Sequence, residues 1–102
     1  MRILLFFDLP IESVEEKRNY TIFRKNLFKL GFIMMQYSVY HKCVNVATKI
    51  EREEEKITKI LPPYGNIRVL TVTEHQYQKM KIMIGGKTFN EQINEQPNYI
   101  KV

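Results

Sequence analysis

The chain opens with an uninterrupted apolar run from Ile3 to Phe7 that stops at Asp8. A strand that is apolar at every position is buried on both faces, and such strands lie in the interior of a sheet. The pattern therefore predicts a central first strand that ends at Asp8.

A helix follows, and its start is marked by Ser13 and Glu16. These residues form a Ser-x-x-Glu capping box, in which the two side chains satisfy free amides at the helix start. Gly31 stands where a left-handed residue would end the helix. Between these signals apolar residues recur at helical spacing and predict one buried stripe: Tyr20, Phe23, Leu27 and Leu30.

The segment after this helix predicts a hairpin and a second helix. Residues 32–44 are rich in β-branched, aromatic and Met side chains, and the run is too long for one average strand. It predicts two strands that turn near residues 36–38. Asn45 is placed to cap a second helix, which Pro62 and Pro63 end.

The remaining pattern completes an α+β fold. Residues 67–73 are again β-rich and predict a fourth strand, while residues 79–84 partly alternate lysine with apolar side chains, as edge strands do. The order β-α-β-β-α-β is the ferredoxin-like arrangement, with two helices on one face of an antiparallel sheet. A fifth, C-terminal strand would pair with another copy of the chain, so we expect a homodimer. We expect one domain over residues 1–84 and a C-terminal tail over residues 85–102.

Charge is unevenly distributed along the chain. Sixteen Lys and Arg residues stand against eleven acids, for a net charge of +5, and residues 17–50 contain no carboxylate. Positive potential on one part of a fold suits a polyanion such as a nucleic-acid backbone, because each neutralised phosphate releases counterions. A solvated helix face that aids solubility explains the same charges equally well. The candidate nucleic-acid-binding residues are Lys17, Arg18, Arg24, Lys25, Lys29 and Lys42.

Asp8 is the only aspartate in the sequence, and it directly follows the predicted buried strand. Carboxylate oxygens are ligands of Mg²⁺ and Mn²⁺, which complete their coordination shell with water and phosphate oxygens. A two-fold axis would bring two copies of Asp8 to one shared ion. Asp also satisfies loop amides at such places, so the residue alone does not distinguish a metal site from a turn.

Other candidate chemistry is sparse. His41 and His75 lack the neighbours of a catalytic triad or a zinc site, so packed or surface histidines are favoured. Cys43 is the only cysteine, which excludes an internal disulfide and fits a reducing cytoplasm, and we expect it to be a small core residue. The apolar run at residues 3–7 is too short for a signal peptide, and no segment is long enough to span a membrane. We therefore expect a cytoplasmic protein.

Several short motifs occur over residues 1–84 in a fairly specific order and spacing. They are Phe7-Asp8-Leu9-Pro10, Tyr20-x-x-Phe23-Arg24-x-x-Leu27, Gly31-Phe32, Gln36-Tyr37-Ser38-Val39-Tyr40 and Leu70-Thr71-Val72-Thr73-Glu74. In these motifs the chain resembles the CRISPR-associated protein 2 family, and most of all the members encoded beside a single-protein RNA-guided effector nuclease.

That resemblance implies a ferredoxin-like homodimer in the cytoplasm of a prokaryote, where it joins the CRISPR-associated protein 1 integrase in capturing foreign DNA as new spacers. It implies binding of double-stranded DNA, with the dimer bridging two integrase dimers, and a tail that packs on the partner subunit or the integrase. It also implies metal-dependent endonuclease activity on single-stranded RNA or duplex DNA. In that activity Asp8 of both subunits is the catalytic residue and the ligand of Mg²⁺ or Mn²⁺.

Two other functions share this topology. An intracellular ribonuclease toxin similar to the virulence-associated protein D group has the same fold and a similar Asp on its first strand, and gene neighbours would distinguish it. A single-strand RNA-binding module would carry a Gly-Phe-rich aromatic motif on a central strand, and no segment of this sequence contains one. The toxin is therefore the alternative that the sequence leaves open.

Overall fold

A computed structural model of the protein describes residues 1–86. The predicted C-terminal tail, apart from its first two positions, lies outside the described residues. The elements in chain order are β1 (Arg2–Asp8), α1 (Val14–Lys29), β2 (Ile33–Gln36), β3 (Val39–Cys43), a 3-10 turn (Ala47–Lys49), α2 (Ile50–Thr58), β4 (Asn66–Val72) and α3 (Glu74–Gln78).

The four strands form one antiparallel sheet in the order β2-β3-β1-β4. β1 is an inner strand, as its apolar run predicted, and it pairs with β3 on one side and with β4 on the other. The α+β class and the order of strands and helices up to β4 are thereby confirmed.

The two faces of the sheet differ in what covers them. Side chains alternate between the faces along a strand, so Ile3, Leu5 and Phe7 of β1 point the same way. They pack into the main core with side chains of α1 and α2, and the ring of Phe7 lies edge-on to that of Phe23 with centroids 5.4 Å apart. Both long helices therefore cover one face, and the short helix α3 is left to cover the other. The other buried members of the main core are Leu27, Phe32, Tyr40, Val44 and Ile57.

Helix α1 begins and ends at the signals in its sequence. The Ser13 hydroxyl accepts a hydrogen bond from the Glu16 amide at 3.0 Å, and the Glu16 carboxylate accepts one from the Ser13 amide at 2.8 Å. Gly31 follows the helix with a left-handed φ of 92°. The predicted capping box and helix end are thus confirmed. The stripe residues that pack in or against the main core are Tyr20, Phe23, Leu27 and Leu30.

The hairpin prediction is confirmed, whereas the predicted start of the second helix is wrong. Strands β2 and β3 turn at residues 37–38, where Ser38 has a left-handed φ of 66°. Asn45 does not cap α2, because a 3-10 turn intervenes and the helix begins at Ile50 without a side-chain cap. Val44 is still buried in the core, and its amide bonds to the Met1 carbonyl at 2.8 Å, so the chain remains tied to the sheet there.

Residues 79–84, predicted as a fifth strand that pairs with another copy of the chain, form no strand in the single chain, and their pairing with a second copy stays a prediction. These residues follow α3, whose start is fixed by reciprocal hydrogen bonds between Thr73 and Gln76 at 2.8 and 3.0 Å. Tyr77 of this helix is buried on the sheet face beside Leu4. In the single chain the residues that follow line a groove with Tyr77 and Met35.

Candidate active site and nucleic-acid surface

The sheet face opposite α1 and α2 is only partly covered. Helix α3 covers one end, where Tyr77 packs with Leu4 and Val39. Phe6 of β1 is 36% exposed, and Leu70, which lies opposite Leu4 on the edge strand β4, is 53% exposed. Phe6 and Leu70 are diagonal neighbours on the paired strands, so together they form an apolar patch, which is a candidate surface for contact with another molecule.

A buried arginine fastens α3 to this face. Arg2 donates from Nε and Nη2 to the two carboxylate oxygens of Glu74, at 2.9 and 2.8 Å. Its guanidinium carbon lies 4.0 Å from the centre of the Tyr77 ring, and its Nη1 lies 2.9 Å from Nδ1 of His41. We did not predict this contact from the sequence, because nothing in the local pattern around Arg2 indicates a partner on a helix so distant in the chain.

The same contact keeps Glu74 charged. Hydrogen bonds from Arg2 lower the pKa of Glu74 below its ordinary value, and they outweigh burial, which acts in the opposite direction. Gln78 adds a further hydrogen bond to the carboxylate at 3.0 Å. The ion pair therefore holds α3 in place at neutral pH and weakens when acid protonates Glu74.

Asp8 is exposed at the end of β1, at the uncovered end of the sheet face. In the pairing of β1 with β4, Asp8 lies opposite Asn66 and Phe6 lies opposite Arg68. Together with Phe7, these residues line an open depression of about 290 Å³. Within residues 1–86 neither the Asp8 carboxylate nor the Arg68 guanidinium takes part in a side-chain hydrogen bond or ion pair, so both are available to a ligand.

A glycine controls how closely the chain before β4 approaches Asp8. Gly65 has a left-handed φ of 110°, and a Cβ added there would lie 3.0 Å from the Asp8 carbonyl oxygen and overlap the side chain of Leu9. Both the backbone conformation and the available space therefore require glycine. Because residue 65 has no side chain, the chain before β4 can run close to the backbone of Asp8.

The oxygen ligands near Asp8 are fewer than a divalent ion requires for its full coordination shell. No group of three or more His, Cys, Asp or Glu side chains that would hold a metal occurs in residues 1–86. Mg²⁺ is bound through one or two carboxylates and keeps several waters, so a cluster of that size is not required. One exposed carboxylate lies here with Asn66 opposite it, and a two-fold axis would add a second copy of Asp8.

Helix α1 exposes most of the predicted nucleic-acid-binding residues. Arg24, Lys25 and Lys29 line one groove of about 590 Å³ between α1 and β2. Arg24 is partly engaged within the chain, because its Nε donates to the Tyr40 hydroxyl at 3.0 Å. The predicted residues whose exposed side chains form no hydrogen bond or ion pair in the described part of the chain are Lys17, Arg18, Lys25 and Lys29.

Lys42, the sixth predicted nucleic-acid-binding residue, is occupied by the fold. Its ammonium donates to the Glu53 carboxylate at 2.8 Å and to the Leu30 carbonyl at 2.6 Å. Burial raises the pKa of Glu53, but the hydrogen bond and charge of Lys42, helped by Lys56, outweigh it and leave that pKa below its ordinary value. A charge neutralised in this way is poorly placed to contact a phosphate.

The histidines and the cysteine lie apart from Asp8 in the fold. His41 is buried and stacks on Tyr77 with ring centroids 5.5 Å apart, and His75 is exposed on α3, as expected for a packed and a surface histidine. The prediction that Cys43 is a core residue is wrong, because its side chain is exposed. It is the last residue of β3, where packing against the sheet ends.

Known proteins are similar to this chain over most of its length. The family model described as CRISPR associated protein Cas2 matches residues 1–80. The chain belongs to the Cas2 family. The CRISPR-associated endoribonuclease Cas2 of Treponema denticola is 52% identical over 85 residues, which cover 83% of this chain and 84% of that protein. The protein of the same name from Campylobacter jejuni is 45% identical over 98 residues, covering 96% of this chain and 68% of that protein.

A solved structure agrees with the fold of this Cas2 chain. The crystal structure of Streptococcus pyogenes Cas2 at pH 6.5 matches it with a TM-score of 0.59 and 15% sequence identity, over 81% of this chain and 99% of that one. At this identity the likeness concerns the fold alone. The resemblance found in the sequence is confirmed, and family membership decides against the toxin alternative. Among the described residues, no helix has the length and apolar character needed to cross a membrane.

Proposed function

We propose that this Cas2 protein is a metal-dependent endoribonuclease whose active site forms at Asp8 of a homodimer. The observation that carries the proposal is the position of Asp8, exposed at the uncovered end of the sheet and without a side-chain partner within residues 1–86. The relatives named CRISPR-associated endoribonuclease support the choice of RNA as substrate.

The uncovered sheet face is where the second subunit binds in this proposal. Phe6 and Leu70 expose apolar area that association would remove from water. A two-fold contact joins the same patch on both copies, so a residue near the axis meets its own twin. Asp8 lies at the end of this patch. The strand order β2-β3-β1-β4 supports the ferredoxin-like arrangement that such a dimer requires.

The paired Asp8 carboxylates would hold Mg²⁺ or Mn²⁺. An ion of this kind, when bound, activates water and offsets negative charge on a phosphate. Asp8 itself accepts hydrogen bonds and binds cations but cannot donate while it is ionised, so its role is to hold the ion and orient the water. Asn66 adds an amide opposite it, and Gly65 allows the chain before β4 to run close to Asp8.

Substitution of Asp8 by Asn tests this assignment, because the change removes the charge and keeps the shape. We expect Asp8→Asn to abolish cleavage of a single-stranded RNA in Mg²⁺ while the thermal stability and the dimer are retained. Glu54→Gln, which neutralises an exposed carboxylate on α2, is the matched control and should cleave like the wild type. Persistent cleavage by contaminant-free Asp8→Asn, or no cleavage by the wild type, would contradict the proposal.

A second role is favoured by the basic surface of α1. We propose that this surface binds duplex DNA during new-spacer acquisition in the cytoplasm, where the dimer bridges dimers of the CRISPR-associated protein 1 integrase. The exposed cations are suited to phosphates, whose contacts position a duplex without reading its sequence. This role does not use Asp8, so Asp8→Asn should leave DNA binding unchanged. The residues of this surface are Lys17, Arg18, Arg24, Lys25 and Lys29.

A further inference from the structure

The arginines near the sheet differ in what their guanidinium groups contact. Arg2 is buried against Glu74, and Arg24 donates to Tyr40. Arg68 of β4 is exposed and forms no side-chain hydrogen bond or ion pair within residues 1–86. Its charge is therefore free to bind an anion.

The strand register brings Arg68 to the same depression as Asp8. Arg68 lies opposite Phe6, two residues before Asp8, so Arg68 and Asp8 are diagonal neighbours on one face of the sheet. Diagonal neighbours on paired strands lie about 7 to 8 Å apart, which a long side chain can bridge. Both residues line the open depression of about 290 Å³, yet their side chains form no ion pair with each other.

This arrangement offers a cation and an anion side by side to one ligand. The Asp8 carboxylate suits a divalent ion, and the planar fork of a guanidinium matches two oxygens of a phosphate. A phosphodiester that approached the carboxylate without a neighbouring cation would meet repulsion from it. The positive charge of Arg68 offsets that repulsion, because the pairing of β1 with β4 holds Arg68 and Asp8 as diagonal neighbours.

We propose that Arg68 binds the phosphate of the RNA that is cleaved at Asp8. The inference rests on the proposed function, since it names the residue that holds the substrate of the same site. Arg68 contacts the substrate directly, and its positive charge also stabilises the additional negative charge that develops on the phosphate during hydrolysis.

The test separates RNA binding from cleavage. Binding of a fluorescent single-stranded RNA in Mg²⁺ is measured at several salt concentrations in the Asp8→Asn background, alone and combined with Arg68→Gln, Arg68→Lys or Arg52→Gln. Arg52 is an exposed arginine on α2, so Arg52→Gln removes the same charge away from the site. Size-exclusion chromatography of each variant reports whether the dimer persists.

We expect Arg68→Gln to weaken RNA binding about tenfold. The slope of log binding constant against log salt concentration should become smaller by about 0.7, the value for one phosphate contact on a single strand. Arg68→Lys should retain part of the affinity, because it keeps the charge but loses the fork. Arg52→Gln should bind like its parent. Equal affinities of Arg68→Gln and Arg52→Gln would overturn the inference, as would weaker binding that accompanies loss of the dimer. Failure of the proposed function is distinct, because it appears as cleavage by Asp8→Asn or as inactivity of the wild type.

Discussion

Replacement of Glu74 by Gln removes the carboxylate that Arg2 contacts and leaves a buried guanidinium without its counter-charge. Arg2 is 3% exposed and makes two charge-assisted hydrogen bonds to Glu74, whose side chain is 30% exposed. Removing one partner of a fully buried ion pair costs about 3 to 5 kcal/mol. Water reaches Glu74 and Gln keeps one acceptor oxygen, so we expect a loss of about 2 kcal/mol in the free energy of unfolding. The melting temperature should fall by about 10 °C for a domain of this size.

The assay is urea and thermal unfolding at fixed protein concentration, because the stability of a dimer depends on concentration. The pKa of Glu74 is lowered in the folded chain, so its stabilising effect is complete above the unfolded-state pKa and is lost as the pH falls through the folded-state pKa. The difference between wild type and Glu74→Gln should therefore be present at neutral pH and vanish in strong acid.

The control is Glu54→Gln, which changes an exposed carboxylate and should alter the free energy of unfolding by less than about 0.5 kcal/mol. The reasoning is refuted if Glu74→Gln is as stable as Glu54→Gln at neutral pH. It is also refuted if the difference between Glu74→Gln and wild type persists unchanged in strong acid.

Three further predictions follow from other contacts. Gly65→Ala places a side chain at a residue with a left-handed φ and against the Asp8 carbonyl, so it should lower the free energy of unfolding by about 1 to 2 kcal/mol or more and reduce RNA cleavage. Cleavage and stability equal to those of the wild type would contradict this. Lys42→Met leaves Glu53 buried without its main partner and should lower the free energy of unfolding in urea by about 2 to 3 kcal/mol. Lys56→Met, which removes a 45% exposed side chain, should lower it far less, and equal losses would argue against the Lys42–Glu53 pair. Replacing three cations of α1 by Gln should make the plot of log binding constant against log salt concentration for duplex DNA less steep, with a slope smaller by about 3. An unchanged slope would show that this surface is merely solvated. The three residues are Arg18, Lys25 and Lys29.

Local signals in the sequence predicted the local structure well. The capping box at Ser13 and Glu16 determines where α1 begins, and the apolar run before Asp8 identifies an inner strand. These features depend on residues close together in the chain, where periodicity and hydrogen-bonding side chains act directly. The position of Asp8 was predictable for the same reason, because it directly follows the buried apolar run, whereas its role as a site residue stays a prediction.

Features that depend on distant contacts were not predictable in this way. The position of α3 on the sheet face depends on Tyr77, which packs beside Leu4 of the distant strand β1. Lys42 lies among other basic residues in the sequence, and its partner Glu53 is brought to it by the packing of α2. Arg68 carries no local signal, since its place beside Asp8 arises from the register of β1 with β4.

The pairing of two Asp8 residues across a two-fold axis is the claim on which the proposed active site depends. Asp8→Cys in a Cys43→Ser background, treated with a short thiol-specific bifunctional reagent, measures that proximity directly, since Cys43 is exposed and would otherwise react. Glu51→Cys in the same background is the control, because α2 packs on the opposite face of the sheet. We predict rapid formation of a covalent dimer from Asp8→Cys and little from Glu51→Cys. A monomer in solution, or cross-linking of Asp8→Cys no faster than of Glu51→Cys, would contradict the account.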